Sequence, residues 1–156
     1  MKKLLTLGLL PFLLISCTKK TEPAPACTDV LPSTEEAAMI AYCTDNSIVY
    51  TKDPSGIFYQ ILDPGTAPHP ATTSTITVNY VGKFLDGTIL DQSTAPYTNK
   101  LNSLIQAWQI ALPFIGKGGH IKMVAPSSLC YGCEGYPGTV DPNTILFFEV
   151  TLVDVQ

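Results

Sequence analysis

Residues 73–91, "TSTITVNYVGKFLDGTILD", decide the fold. Ile76, Val78 and Tyr80 alternate with Thr75, Thr77 and Asn79, a period of two that puts the apolar set on one face of a strand. Asp86-Gly87 then supplies a two-residue turn of the kind that reverses a hairpin, and Thr88–Asp91 returns as the partner strand. Working outward, "IFYQIL" (57–62) reads as a strand closed by Asp63-Pro64-Gly65, and "HIKMVA" (120–125) as another. The chain ends in "ILFFEVTLVDV" (145–155), where Leu146, Phe148, Val150 and Leu152 face one way. A loop rich in Ser, Pro and Asn precedes "LNSLIQAWQIALP" (101–113), a short helix with Asn102 or Ser103 as its cap and Pro113 as its stop. Leu104, Ile105, Trp108 and Leu112 form its apolar face, and Trp108 is the chain's single tryptophan.

An antiparallel sheet with one apolar face needs a cover, and this helix is the candidate. The expected fold is therefore α+β: a twisted antiparallel sheet wrapped around one short helix, with Trp108 pointing from helix to sheet. A Gly- and Pro-rich loop over about 126–144 is longer than most connections, and such loops tend to carry function.

The N-terminus reads as a targeting segment. Lys2 and Lys3 precede a twelve-residue, mostly apolar run, Leu4–Ile15, too short to span a bilayer. It ends in "LLISC" (13–17), which resembles a bacterial lipoprotein signal: cleavage after residue 16 leaves Cys17 to carry lipid. Thr18 rather than Asp after that cysteine suggests the outer membrane by analogy with sorting in two-membrane bacteria. The mature chain would hold seven lysines against thirteen acids, a net −6, so acyl chains and not charge would fasten it to anionic lipid. The Pro-rich stretch 18–30 reads as a tether. The expected organisation is signal peptide 1–16, lipidated cysteine and tether 17–32, helical extension 33–54 and main domain 55–156.

Composition excludes some functions. There is no arginine, and the acids outnumber the lysines, which argues against nucleic-acid binding. His69 and His120 lack metal-ligand spacing and read as structural or solvent-facing. No Ser-His-Asp pattern and no pair of cleft carboxylates is visible, and no cofactor is expected.

Four cysteines remain beyond the anchor, Cys27, Cys43, Cys130 and Cys133, and an even count in an exported chain reads as disulfides. Three pairings are possible. Cys27–Cys43 with Cys130–Cys133 is the simplest, the first stapling a helix of about ten residues capped by Ser33 and Glu36. A redox motif at 130–133 and an all-cysteine zinc site are weaker alternatives, because "LCYGCEGYPG" (129–138) reads as loop and the compartment is oxidising.

Four blocks in order, "VNYVGKFLDGTILDQS" (78–93), "LIQAWQIAL" (104–112), "GGHIKMVAPSSLCYG" (118–132) and "GYPGTVDPNTILFFEVTL" (135–152), resemble the FKBP-type peptidyl-prolyl cis–trans isomerases from about Ser55 to Gln156. The resemblance implies the same sheet around one short helix. It implies that Trp108 floors a proline pocket, with Tyr80, Leu90, Asp91, Tyr97, Leu104, Ile105, Tyr131, Val140 and Phe148 on the walls. It assigns the Ile105 N–H and the Tyr131 hydroxyl to substrate carbonyls and Asp91 to the rim. Asp91, Tyr131 and Trp108 become the candidate catalytic set. Leu90 and Tyr97 stand where the family usually has Phe, and Asn99 where an aromatic is frequent. The implied partners are proline-containing polypeptides, macrolide immunosuppressant-type inhibitors, and the membrane through the lipid anchor; nucleic acid is not among them. Three functions stay open: an envelope isomerase, a proline-peptide binding or chaperone module with weak turnover, and a structural lipoprotein.

Overall fold

The computed structural model describes residues 26–156. The signal peptide, Cys17 and most of the tether lie outside the described residues.

Seven strands form one antiparallel sheet: β1 (Thr51–Lys52), β2 (Phe58–Asp63), β3 (Thr75–Phe84), β4 (Ile89–Gln92), β5 (Tyr97–Lys100), β6 (His120–Ala125) and β7 (Leu146–Val155). Their spatial order is β1-β2-β6-β7-β3-β4, with β5 also on β3. β3 and β7 are the two ten-residue strands and pair from Ile76↔Val155 to Phe84↔Leu146. The free edge of β3 is shared. Val81–Lys83 take β4 and Thr75–Val78 take β5. The sequence pattern puts β5 in a loop, because "YTNK" has no apolar alternation. An open edge recruits it instead, aided by a Thr77–Thr98 hydroxyl bond of 2.8 Å.

Alternation sends side chains to both faces, and both are covered. On one face Ile76, Val78, Met123, Val150 and Leu152 pack against Trp108, Ala107 and Ala111 of α2 (Gln106–Ala111). On the other, Phe58, Val124 and Phe147 pack against Met39, Tyr42 and Cys43 of α1 (Pro32–Asp45). The sheet thus has two helical covers where the sequence pattern assigned one.

Both helices begin differently from their sequence signals. α1 starts at Pro32, whose fixed φ suits a first helical position, after an extended Leu31 and without a side-chain cap. The Ser33–Glu36 capping box is not formed. Glu36 instead meets Lys52 at 2.7 Å, a half-exposed pair worth at most about 1 kcal/mol. α2 is only six residues long, flanked by 3-10 turns at Leu101–Ser103 and Leu112–Phe114. Neither Asn102 nor Ser103 caps it, Leu104 is extended, and Pro113 lies inside the following turn. Burial holds this segment: Leu101, Ala107, Ala111 and Leu112 are completely enclosed. Gln109 Nε2 donates to the Leu104 carbonyl at 2.7 Å, tying the extended link to the helix.

The disulfide expectation is corrected. Cys27 pairs with Cys133, across 106 residues and a Cα–Cα distance of 5.7 Å; Cys43 and Cys130 are free. Cys43 faces inward among Tyr42, Val124 and Phe147, whereas Cys27 precedes α1 at the end beside the 127–133 loop. Proximity in sequence therefore misleads, since α1 carries the two cysteines apart. His69 Nδ1 lies 3.1 Å from the Pro113 carbonyl and His120 Nε2 lies 2.9 Å from Glu149, polar contacts in keeping with structural roles.

Burial raises both free thiols, Cys43 to about 11 and Cys130 to about 12, the latter with help from the negative charge of Glu35. The thiolate is the reactive species, so neither behaves as a redox cysteine near neutrality. A folded-state pKa above the unfolded one means that the native state holds more protons. The associated stability is complete below the ordinary thiol value near 9 and is lost as pH climbs toward 11. Urea midpoints are expected to stay level from pH 7 to about 8.5 and to fall above it. Replacing both free cysteines by alanine should flatten the onset of that fall; an unaltered onset would show that burial of these thiols does not govern it.

Candidate functional site

A cavity of about 180 Å³ opens between the start of α2, the β3–β4 hairpin, β5, β7 and the loop after β6. Nine of the ten residues expected at a pocket line it. Tyr80 comes from β3, Leu90 and Asp91 from β4, Tyr97 from β5 and Phe148 from β7. Leu104 and Ile105 come from the extended link, Trp108 from α2 and Tyr131 from the long loop.

The floor is an aromatic assembly. Trp108 is 4% exposed. Tyr80 meets it edge-on at 5.1 Å and Phe148 at 5.7 Å, geometries that set the positive ring edge against the negative face. Phe148 stands opposite Gly82 in the β3–β7 register. A Cβ at Gly82 would approach the Phe148 ring to 2.9 Å, so only glycine leaves the ring where it lies. A glycine inside an otherwise alternating strand is a sequence signal for such a close approach.

The rim is polar. The Tyr80 hydroxyl donates to Asp91 Oδ2 at 2.5 Å, and Asp91 Oδ1 accepts the Gln92 N–H at 2.8 Å. Burial first, then that bond and the Asp91 charge, drive the Tyr80 phenol far above its ordinary range. It stays protonated and keeps Asp91 oriented. Tyr97 faces Tyr80 at 6.0 Å, and its hydroxyl accepts from Asn99 Nδ2 at 2.7 Å. Asn99 thus steadies a wall tyrosine from a strand that has no signal in the sequence.

Two donors remain free. The Ile105 N–H and the Tyr131 hydroxyl meet no acceptor among the described residues. Burial raises the Tyr131 phenol too, so it holds its proton. A third unpartnered donor is the buried Trp108 Nε1–H. A buried donor without a partner costs about 1–3 kcal/mol.

Val140 is the one expected residue that does not line this cavity. It is buried, and its carbonyl accepts the Tyr136 N–H at 2.8 Å, so its backbone braces the loop. Tyr136, which sequence reasoning passed over, lies against Tyr131 with ring centroids 5.6 Å apart and is 56% exposed. Its signal was an aromatic beside Pro137-Gly138 in a long loop. No cluster of three metal-ligating side chains occurs among the described residues, and none of their helices is long and apolar enough to cross a membrane.

An apolar ring fits such a floor, and an adjoining carbonyl would find donors at the rim. Residues 67–153 match the family model described as FKBP-type peptidyl-prolyl cis-trans isomerase. The chain is 39% identical over 105 residues to the FKBP-type peptidyl-prolyl cis-trans isomerase FkpA of Escherichia coli K12, covering 65% of this chain and 38% of that protein. It is 34% identical over 106 residues to the outer membrane protein MIP of Legionella longbeachae, covering 66% of this chain and 46% of that one. Among solved structures, a peptidyl-prolyl cis-trans isomerase from Pseudomonas syringae superposes with a TM-score of 0.69 at 34% identity, over 83% of this chain and 98% of that one. FkpA of Escherichia coli superposes at 0.71 and 33% identity, over 80% and 61%. The chain therefore spans less than half the length of FkpA and of MIP.

Proposed function

We propose, from the premise that this chain belongs to the FKBP-type peptidyl-prolyl cis–trans isomerase family, that its cavity speeds rotation about X–Pro bonds in exported polypeptides. The uncatalysed rotation crosses about 18–20 kcal/mol and takes tens to hundreds of seconds. Resonance makes the planar amide polar, and twisting removes that resonance. Water therefore solvates the planar ground state better, and a water-poor aromatic cavity favours the twisted form. Trp108 and Phe148 receive the proline ring and exclude water. The Ile105 N–H and the Tyr131 hydroxyl hold a flanking carbonyl, so that rotation is confined to the prolyl bond. Asp91, fixed by Tyr80, sets the polarity of the rim. The observation that carries this reading is the indole-floored cavity, lined also by Ile105 and Tyr131, whose N–H and hydroxyl meet no acceptor among the described residues.

The accompanying organisation is a signal peptide over 1–16, lipid on Cys17 and a tether that runs only to Cys27, where the bridge to Cys133 fastens the chain; a helical extension over 33–54 and the isomerase domain over 55–156 follow. The domain would then stand in the bacterial envelope, at the outer membrane, in line with the relative named an outer membrane protein. Macrolide immunosuppressant-type inhibitors would compete for the same cavity. A second reading, a proline-peptide binder with slow turnover, draws on Leu90, an aliphatic wall residue where the family usually has Phe.

A peptide isomerisation assay together with proline-limited refolding separates the two. Tyr131→Phe deletes one neutral hydrogen bond, so kcat/KM should drop about 3- to 10-fold while stability changes little. If the unaltered chain binds prolyl peptides but leaves the isomerisation rate untouched, the binder reading prevails.

A further inference from the structure

Three contacts from the segment around the start of α1 converge on the loop that carries Tyr131. Cys27 is bonded to Cys133. Asp29 Oδ1 accepts the Cys133 N–H at 2.8 Å. Glu35, in the first turn of α1, accepts the Ser127 N–H on Oε2 at 2.8 Å and the Ser127 hydroxyl on Oε1 at 2.6 Å. The anchors bracket Tyr131, four residues before it and two after. Within the bracket the Gly132 N–H donates to the Ser127 carbonyl at 2.8 Å. Gly132 has φ +59°, and a Cβ there would collide with the Asp29 carboxylate. α1 is itself immobilised by Met39, Tyr42 and Cys43 on the second core.

Glu35 is 8% exposed and Ser127 is completely enclosed. No cation faces this carboxylate among the described residues; its hydrogen bonds come from one serine. Placing a carboxylate there is an expensive way to secure stability, since apolar residues of similar volume often do as well. Its return is geometric, because charge-assisted bonds are short and directional. None of Cys27, Asp29 and Glu35 lines the cavity.

We propose that Glu35 and the Cys27–Cys133 bridge are positioning residues for Tyr131: the N-terminal segment is a clamp that holds this wall and its hydroxyl at the cavity mouth. The inference rests on the prolyl-site reading for its consequence in catalysis, and on the contacts alone for the clamp itself.

The full chain is compared with Glu35→Leu, Glu35→Gln and Cys27→Ser/Cys133→Ser. Amide hydrogen exchange over 128–136 should rise at least about tenfold in the leucine and bridge variants, with β3 and β7 still protected. Glu35→Gln keeps an acceptor for the Ser127 N–H and should restore most of the protection. For catalysis, Glu35→Leu should lower kcat/KM about 3- to 10-fold, yet add nothing in a Tyr131→Phe background. Loop exchange that stays at the parent level in the bridge and leucine variants overturns the clamp. Multiplicative losses in the double variant overturn its action through Tyr131. Should Glu35→Leu not fold, the bridge and glutamine variants carry the same comparison. An inactive parent chain would sink the prolyl reading, while the exchange data would still decide the clamp.

Discussion

Trp108→Ala is expected to lower kcat/KM for a prolyl peptide about 10- to 100-fold and to destabilise the fold by about 3–5 kcal/mol. Both losses share one origin. The indole is 4% exposed, packed edge-on by Tyr80 and Phe148, and it closes the cavity from below. Alanine would leave a void beneath the cavity that water can enter, so the planar amide would regain its solvation advantage. It would also remove a large buried apolar surface next to Ala107 and Ala111, which are too small to collapse into the gap. Activity should be read at a temperature where urea titration shows the variant to be folded. Trp108→Phe is the companion measurement. It retains a ring and deletes the unpartnered Nε1–H, so its stability loss should be clearly smaller than that of alanine. A folded Trp108→Ala protein with kcat/KM within threefold of the parent would mean that the indole does not floor the site.

The second large effect is expected on removing the Cys27–Cys133 bridge. It closes a loop of 106 residues, and chain entropy assigns such a closure about 4.7 kcal/mol. For a domain of this size that corresponds to a fall in Tm on the order of 15 °C. Thermal unfolding of Cys27→Ser/Cys133→Ser, or of the parent with and without reductant, measures it. A shift below about 3 °C would show that the N-terminal segment is already held by α1 and contributes no loop constraint of its own. Alkylation supplies a control. With the fold intact, neither Cys43 nor Cys130 should label readily near pH 7, because burial keeps both as thiols.

Much of the sheet is legible in the sequence. Alternation in 75–80 and 146–152 and the Asp86-Gly87 turn are local signals, and β3, β4, β6 and β7 lie within about a residue of where they point. β5 was not legible. Its residues carry no apolar period, and it is a strand because β3 has an edge to offer. Of the ten residues that the resemblance places at a pocket, nine meet around one cavity and Val140 does not line it. Val140 instead pairs with Tyr136 in an isolated bridge within the long loop, an outcome of loop closure and not of residue type. The Asn102 and Ser103 caps misled because buried apolar residues hold α2, and the Ser33 cap because Pro32 already starts α1.

Residue order alone carried the strand period, the hairpin and the family to which the chain belongs. The packed chain was needed to decide which cysteines join, that α1 covers the second face, and that Glu35 reaches Ser127 from 92 residues away. Period and turn chemistry act between neighbours along the chain. A bridge or a buried carboxylate contact depends on where two distant segments come to rest, and that is set by how both faces of the sheet are covered.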